Sequence, residues 1–534
     1  MHAHIDKGDQ PMTSRKLLIR ILRYTLAPMY LLSLGSIQGS AAPVTLRLND
    51  SFITDARDNN KNGVANDDDY QLLINRLTIN GLYDGYSLNS RLDSMYFQNQ
   101  PSDDFQTVPV RIERLSLSKS WYLSRGRSFA IHLGDLYQQL GKGQLLALRK
   151  VDELGVDISL RGAKLSGKAG SLKSQVFAGI SNVVNLDMVS MHYVEDRADL
   201  IIGGESSYRL PIGGELGLMY VYLEPEEQMV DSLELDDATS SGGVFLNLPS
   251  VSDFLSLYGE FDTQQRRLLE DVQEGYAGYL TLDWHFDETT VLTEGLWVDN
   301  FEQRGSTNTA LLSRFNYNQG PTLERIDQEV AETYDVRGGR VRLQHDLLQG
   351  DLSLHVNGLY RKTKANDPME LSQYHGYGGL EWYYDLGRSR MSASAGHRFD
   401  TKEGYINRVW SHAEGDFVQR LFGTVTAHLN TQFQRIQIEQ QPFFTRGSSV
   451  LGVEKAGLGS ASVEWGVDTQ NRSEGVRQQF FAGIFNLDLS QFFLIKATIG
   501  SQRGGIKCVG GVCRDFPEFS GYRLQLIAKH NLSF

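Results

Sequence analysis

The chain has 534 residues, with 52 Lys and Arg against 65 Asp and Glu, and its formal net charge is -13. This acidic balance argues against nucleic acid as a partner. Hydrophobic residues make up only 40% of the sequence, which is too polar for a bundle of membrane helices, yet 24 Tyr, 25 Phe and 53 Gly are many for a soluble domain. This mixture is typical of a transmembrane β-barrel, in which alternate residues face lipid and water.

The amino terminus has the order of a secretory signal. Basic residues between Arg15 and Arg23 precede an apolar run over 24–34 and then small residues at 39–42. The run is too short for a membrane helix, which needs ~20 mainly apolar residues. We therefore predict a signal peptide over residues 1–41, cleaved after Ala41, and a single mature domain over residues 42–534.

Polar and apolar residues alternate along most of the mature chain. Residues 352–361 are apolar at 352, 354, 356 and 360 and polar at 353, 355, 357 and 361, and the same rhythm recurs at 216–222, 276–286 and 493–499. Each such strand therefore has one apolar and one polar face. A run of these strands without helices between them predicts an antiparallel meander.

Short turns alternate with longer connections. We predict the turns at 84–85, 124–127, 211–214, 287–288, 350–351, 386–388 and 457–459, and the intervening connections are longer, acidic and rich in Asn, Asp and Gln. Outer-membrane barrels have short periplasmic turns and long extracellular loops. The expected fold is therefore all-β, an up-and-down transmembrane barrel of about 24 antiparallel strands (22 to 26) with both termini in the periplasm.

The carboxyl-terminal strand has an apolar face that ends at an aromatic residue. That face carries Tyr522, Leu524, Leu526, Ala528, Leu532 and Phe534. It resembles the terminal signal by which bacterial outer-membrane barrels are recognised for assembly, although His530 interrupts it. The resemblance implies a Gram-negative outer membrane, with its lipid and the barrel-assembly machinery as partners. The alternative is the last strand of a soluble sandwich.

A barrel of this size needs something that narrows its lumen. The best internal candidate is the connection over 301–332, where residues 321–332 could form a short acidic helix that begins at Pro321, or a surface loop. Its acidic residues, which we expect at a constriction that favours cations, are Glu324, Asp327, Glu329 and Glu332. The charged or histidine residues expected to face the lumen are Asp283, His285, His355, Arg361, Lys496, Arg523 and Lys529.

One predicted external loop has the ligand spacing of a calcium loop. Side-chain or carbonyl oxygens come from Asp58, Asn60, Asn62, Val64, Asn66 and Asp69, with Gly63 at the sharp turn. It departs from the EF-hand in its last position, Asp69, and in having no flanking helices. Asn, Asp and Gly also form ordinary hairpin loops. Calcium is the only cofactor that the sequence suggests.

Cys508 and Cys513 are the two cysteines, and they lie between the last two predicted strands. The four intervening residues include two glycines and can bring the thiols together. We expect a structural disulfide in an external loop. A redox-active pair is the alternative.

No catalytic constellation is recognisable, and we do not expect an enzyme. The histidines, His412 among them, are scattered singly through predicted strands, where a polar residue that faces the lumen is expected. No Ser lies in a Gly-x-Ser-x-Gly turn.

The segment Gly134–Gly143, followed by Leu160-Arg161-Gly162, resembles the pattern of an uncharacterised family of large Gram-negative outer-membrane barrels, porin-like in size. The resemblance implies location and fold. In lacking a plug domain and in having an external cysteine pair, the chain also resembles barrels that sheath cytochromes. The leading hypothesis is a channel for passive passage of a hydrophilic solute. The alternatives are a scaffold that holds a partner, such as a cytochrome or lipoprotein, in its lumen, and a barrel enzyme.

Overall fold

The computed structural model describes residues 44–533, except 59–69, 99–107, 125, 152–155, 184–197, 227–228, 231–232, 235–236, 269–270, 309–312, 326–334, 364–369, 403–404, 471–476, 510–511 and 517. The predicted signal peptide, residues 1–41, lies outside the described residues. Within the described ranges, no helix is long and apolar enough to cross a bilayer.

The described elements are strands and one short 3-10 helix, Leu348–Gly350. The strands are β1 (Thr45–Asp58), β2 (Tyr70–Tyr83), β3 (Tyr86–Gln98), β4 (Val108–Ser124), β5 (Arg127–Leu136), β6 (Gln138–Leu140), β7 (Leu146–Leu148), β8 (Lys150–Val151), β9 (Val156–Ala169), β10 (Leu172–Val183), β11 (Leu200–Arg209), β12 (Glu215–Glu224), β13 (Met229–Val230), β14 (Leu233–Glu234), β15 (Asp237–Ser252), β16 (Leu255–Leu268), β17 (Asp271–Phe286), β18 (Thr289–Asp299), β19 (Arg304–Asn308), β20 (Ser313–Asn316), β21 (Val336–Leu347), β22 (Leu352–Thr363), β23 (Leu371–Tyr384), β24 (Ser389–Lys402), β25 (Tyr405–Phe422), β26 (Val425–Ile438), β27 (Phe444–Lys455), β28 (Gly459–Asp468), β29 (Gln479–Ser490), β30 (Phe493–Gln502), β31 (Gly505–Val509), β32 (Val512–Phe516) and β33 (Phe519–Ser533).

Twenty-four of these strands form one closed antiparallel barrel. Each barrel strand pairs with its neighbours in the chain, and β1 pairs with β33 to close the ring, with Leu48 opposite Leu532 and Arg57 opposite Arg523. The nine short strands, β6, β7, β8, β13, β14, β19, β20, β31 and β32, belong to the connections. The predicted fold and strand number are confirmed.

The two faces of the wall follow the sequence alternation. On β33, Tyr522, Leu524 and Leu526 are 43–47% exposed on the outward face, whereas Arg523 faces inward and lies 2.6 Å from the carboxylate of Asp55. An apolar exterior of this kind is solvated by lipid chains.

Aromatic side chains collect on the outward face near both ends of the barrel. At the end that carries the long connections, the ring of Tyr374 lies 4.9 Å from each of the rings of Tyr360 and Phe399. At the end that carries the short turns, Phe254 stacks on Trp284 and Phe286. These positions match the aromatic girdles of outer-membrane barrels at the two membrane interfaces.

All the predicted short turns lie at one end of the barrel, and we take this end as periplasmic because outer-membrane barrels have their short turns there. The turn between β2 and β3, for example, consists of Asp84 and Gly85, both with positive φ. This backbone conformation is the one that tight hairpins require. The opposite, extracellular end carries the long connections, and two of these fold back into the barrel.

Candidate functional site

The first inward-folded connection follows β5. Leu140, Leu145, Leu146 and Leu148 are at most 1% exposed, and they pack in one core with inward-facing wall residues such as Leu160. Four leucines could not be buried in this way in a loop that projected into water. We call residues 137–151 the first infolded segment. Sequence reasoning missed it, although apolar residues in a connection were a usable signal.

The second inward-folded connection follows β18. Phe301, Tyr317 and Leu323 are at most 3% exposed and belong to the same core. We call the described residues 300–308 and 313–325 the second infolded segment. It lies within the connection that the sequence indicated as the element narrowing the lumen, and its described part is inside the barrel.

Of the two alternatives for residues 321–332, a short acidic helix from Pro321 or a surface loop, neither describes Pro321–Arg325. Pro321–Arg325 are irregular, and Leu323 has a φ of 62°, which no α-helix contains. The physical reason is burial. Leu323 packs in the lumen core, and the guanidinium of Arg340 donates a hydrogen bond of 3.2 Å to the Leu323 carbonyl.

The two infolded segments are paired with each other. The backbone N–H of Ala147 donates to the carbonyl of Tyr317, and the N–H of Gln319 donates to the carbonyl of Gly143, both at 2.7 Å. Gly143 has a φ of 87°, and a Cβ there would lie 2.7 Å from the Gln319 carbonyl oxygen. Only glycine therefore permits this approach.

Buried carboxylates of the wall hold both segments. In the first, the backbone N–H of Lys142 donates to Glu260 on β16 at 2.9 Å. In the second, Asp199 accepts a hydrogen bond from the Tyr317 hydroxyl at 2.7 Å and another from the backbone N–H of Ser306 at 2.9 Å. These buried hydrogen bonds are costly to break, because each would leave a buried backbone N–H or hydroxyl without a partner, so they fix the segments to the wall.

Glu324 attaches the carboxyl-terminal end of the second infolded segment to strands β23 and β24 of the wall. Its carboxylate is 3% exposed. It contacts His375 Nδ1 at 2.7 Å and Arg398 at 3.7 Å, and it accepts a hydrogen bond from Gln373. Burial alone would raise the pKa of Glu324, but the hydrogen bond and charge of His375, together with Arg398, outweigh it and lower that pKa.

A second histidine continues this contact. His375 Nε2 lies 2.7 Å from His412 Nε2, and His412 Nδ1 lies 2.8 Å from Glu414. Arg325 closes the network with a 3.0 Å ion pair to Glu414. The expectation of single lumen-facing histidines therefore fails for His412, which has a histidine partner. We call Glu324, Arg325, His375, His412 and Glu414 the histidine latch.

Each Nδ1 in the latch lies within hydrogen-bond distance of a carboxylate oxygen, and the two Nε2 atoms lie within hydrogen-bond distance of each other. In the described ranges of the chain, no group of three or more His, Cys, Asp and Glu side chains is placed to hold a metal ion.

The other side of the lumen is lined by exposed polar groups. Asn49, Asn89, Asn430, Gln432 and Lys496 are exposed although they lie on inward-facing positions of β1, β3, β26 and β30. Wall residues beneath the infolded segments are instead buried, as Leu296 and Tyr279 show. The lumen thus has a filled side and a polar side accessible to water.

The structure places the predicted lumen residues as follows. Asp283 and His285 share the inward face of β17 and lie 3.4 Å apart. Arg361 is fully buried inside the barrel, and Lys496 is exposed on the lumen wall. The side chain of Lys529 lies outside the described part, as do Asp327, Glu329 and Glu332 of the predicted constriction. Of those acids Glu324 alone is described.

Three other sets of predicted residues remain predictions. Asp58 ends β1, and the rest of the calcium-like loop, with Asn60, Asn62, Val64, Asn66 and Asp69, lies outside the described residues. Cys508 and Cys513 are paired with each other in the register of the β31–β32 hairpin. The disulfide between them remains a prediction. Leu532 is paired with Leu48 of β1 near the end of β33, and Phe534 follows the last described residue.

Comparisons with known proteins agree on the architecture. A model of a family of unknown function, DUF6029, matches residues 470–530. No curated protein matches the sequence. The P pilus tip assembly intermediate PapC-PapD-PapK-PapG of E. coli has a TM-score of 0.50 and 12% identity, over 93% of this chain and 62% of that chain. The siderophore receptor PirA of Pseudomonas aeruginosa has a TM-score of 0.47 and 9% identity, over 93% and 81%.

The translocation pore of the P pilus usher PapC has a TM-score of 0.41 and 12% identity, over 92% of this chain and all of that chain. These are likenesses of fold. The closed ring, the apolar exterior and the two aromatic girdles define the class: this chain is an outer-membrane β-barrel.

Proposed function

We propose that this barrel is a channel for passive passage of small hydrophilic solutes along the polar side of its lumen. The observation that supports it best is the division of the interior. Two infolded segments fill one side, while Asn49, Asn430 and Lys496 remain exposed on the other. A barrel of this size without such a filling would be far wider than a 16 to 18-stranded porin.

The charges of the inner wall suit weak selectivity. Arg523 pairs with Asp55 at 2.6 Å, and Arg446 pairs with Asp468 at 3.0 Å, so opposite charges cancel locally. The carboxylate of Glu324 is turned to the wall and contributes little field to the polar side. Because these local pairs cancel, the net charge of -13 gives the channel only a modest preference for cations.

A scaffold for a partner protein in the lumen is the competing function. The infolded segments already occupy the space that such a partner would need on the filled side. Hydrogen bonds between the two segments, and from the second segment to Asp199, hold this part of the lumen filled by the chain itself. For this reason we favour the channel, and our proposal includes no catalytic role.

Solute flux into liposomes tests the proposal. Vesicles that contain the folded, purified barrel should swell in arabinose and more slowly in a trisaccharide, because passage through a narrowed lumen depends on solute size. Vesicles that contain a porin of known size and vesicles without protein serve as references. No swelling with a folded barrel would reject the channel. A stoichiometric partner that co-purifies from native membranes would then support the scaffold.

A further inference from the structure

A cavity of about 360 Å³ lies between the two infolded segments and the wall formed by β9, β18, β21 and β22. This volume is within the range of small-molecule sites, which runs from ~300 to ~1,000 Å³. The paired backbones of residues 143–147 and 317–319 form part of its boundary. The cavity therefore depends on both segments being folded inward.

The lining of the cavity combines an apolar surface with positive charge. Val298, Phe301 and Val336 are at most 6% exposed and form its apolar part. Arg149 and Arg361 also line it, and each guanidinium keeps its charge at any physiological pH. Among the described residues, no Asp or Glu side chain contributes to the lining.

Gln144 supplies a second, independent indication of a ligand. Its side chain lines the cavity and is 2% exposed. Neither its amide nitrogen nor its amide oxygen has a hydrogen-bond partner in the described part of the chain. A buried amide without partners is costly, so a molecule that offers a donor or an acceptor here gains affinity by satisfying it.

We propose that this cavity binds a small organic carboxylate with an apolar body. The carboxylate pairs with the guanidinium groups of Arg149 and Arg361, a geometry that arginine provides better than lysine. The Gln144 amide nitrogen donates to a ligand oxygen, and the apolar body contacts Phe301 and its neighbours. Binding at this site requires the infolded segments but does not require the barrel to conduct. A test of binding is therefore independent of a test of the channel.

Fluorine NMR on the folded full-length barrel in detergent micelles tests the site. The probe is 4-fluorobenzoate, its neutral isostere is 4-fluorobenzamide, and protein-free micelles give the background. We expect saturable binding of the benzoate, weakened by added salt, and binding of the benzamide that is roughly tenfold weaker or more, because the charge-assisted hydrogen bonds are lost.

Matched variants locate the binding. Gln144→Leu removes the amide at nearly constant volume and should weaken the benzoate about fivefold to tenfold, the usual loss for one buried hydrogen bond. Gln432→Leu, on the polar side of the lumen, should leave it unchanged. The proposal is overturned by an absence of saturable benzoate binding, by equal binding of the two probes, or by equal effects of the two variants.

Discussion

His375 Nε2 and His412 Nε2 lie 2.7 Å apart inside the barrel, on strands β23 and β25, which are separated by β24. A carboxylate holds each ring from its other nitrogen, Glu324 from the second infolded segment and Glu414 from the wall. The segment that narrows the lumen is thus attached through a chain of hydrogen-bonded side chains. Its attachment should depend on the charge of Glu324, the carboxylate that the segment itself contributes.

Acid should release the second infolded segment. The pKa of Glu324 is lowered when the latch is closed, so its stabilising contribution is complete above the ordinary value of 4.5 and is lost as the pH falls through the lowered pKa. We expect reversible increases of conductance in planar bilayers at pH below 4.5. In Glu324→Gln, which cannot ionise, this acid-dependent component should be absent. An unchanged pH profile in that variant would show that other groups control it.

Gly143→Ala should separate the two infolded segments. The new Cβ would lie 2.7 Å from the Gln319 carbonyl oxygen. The alanine would also have to adopt a φ of 87°, which L side chains rarely do. Gly126→Ala is the matched control, because Gly126 has a φ of 78° in a periplasmic turn and its Cβ would meet nothing within 4 Å. Both variants should lose roughly 1–2 kcal/mol from the left-handed backbone.

Only Gly143→Ala should also raise the single-channel conductance, since only it disturbs the lumen. Urea unfolding of the reconstituted barrel measures the first effect, and bilayer recording measures the second. Equal conductance in the two variants would mean that the contact between Gly143 and Gln319 does not narrow the channel.

The pair of Asp135 and Arg161 gives a structural role to the motif over 134–143 and 160–162. The Asp135 carboxylate is 3% exposed and lies 3.1 Å from Arg161, and it also accepts hydrogen bonds from the Leu115 N–H and the Asn182 amide. Removing the arginine would leave a buried charge with fewer partners. Arg161→Met should therefore cost about 3 kcal/mol of unfolding free energy.

Lys173→Met is the comparison for this measurement. Lys173 forms a 3.1 Å ion pair with Glu215, but its side chain is 55% exposed. Exposed pairs contribute about 0–1 kcal/mol, so this variant should be close to the wild type. Similar losses in the two variants would contradict the role assigned to burial at Asp135.

The barrel wall could be predicted from sequence because its signal is local. Alternation at 352–361 and at the terminal strand reports which side chains face lipid, and neighbouring strands pair in chain order, so strand number and closure follow. The signal also placed Arg523 on the inward face, where it meets Asp55.

The lumen could not be predicted in the same way, because its contacts join distant parts of the chain. Glu324 and His375 are 51 residues apart, and Asp199 and Tyr317 are 118 apart. The alternation gives no information on which connection folds inward. Over the described residues, the helix considered at Pro321 does not form for the same reason, since burial of Leu323 overrides local helix preference.

The most direct test of the account is the single-channel conductance of a barrel without its second infolded segment. Val298 on β18 is paired with Val336 on β21, so residues 300–334 can be replaced by Asn-Gly, a hairpin turn that leaves the wall intact. Gln502 and Phe519 are likewise paired, and an Asn-Gly replacement of residues 504–517 gives a matched control. We predict that the conductance roughly doubles in the first variant, because a filled side of the lumen is opened, and is unchanged in the control. An unchanged conductance in a correctly folded first variant would contradict the claim that the infolded segments narrow this channel.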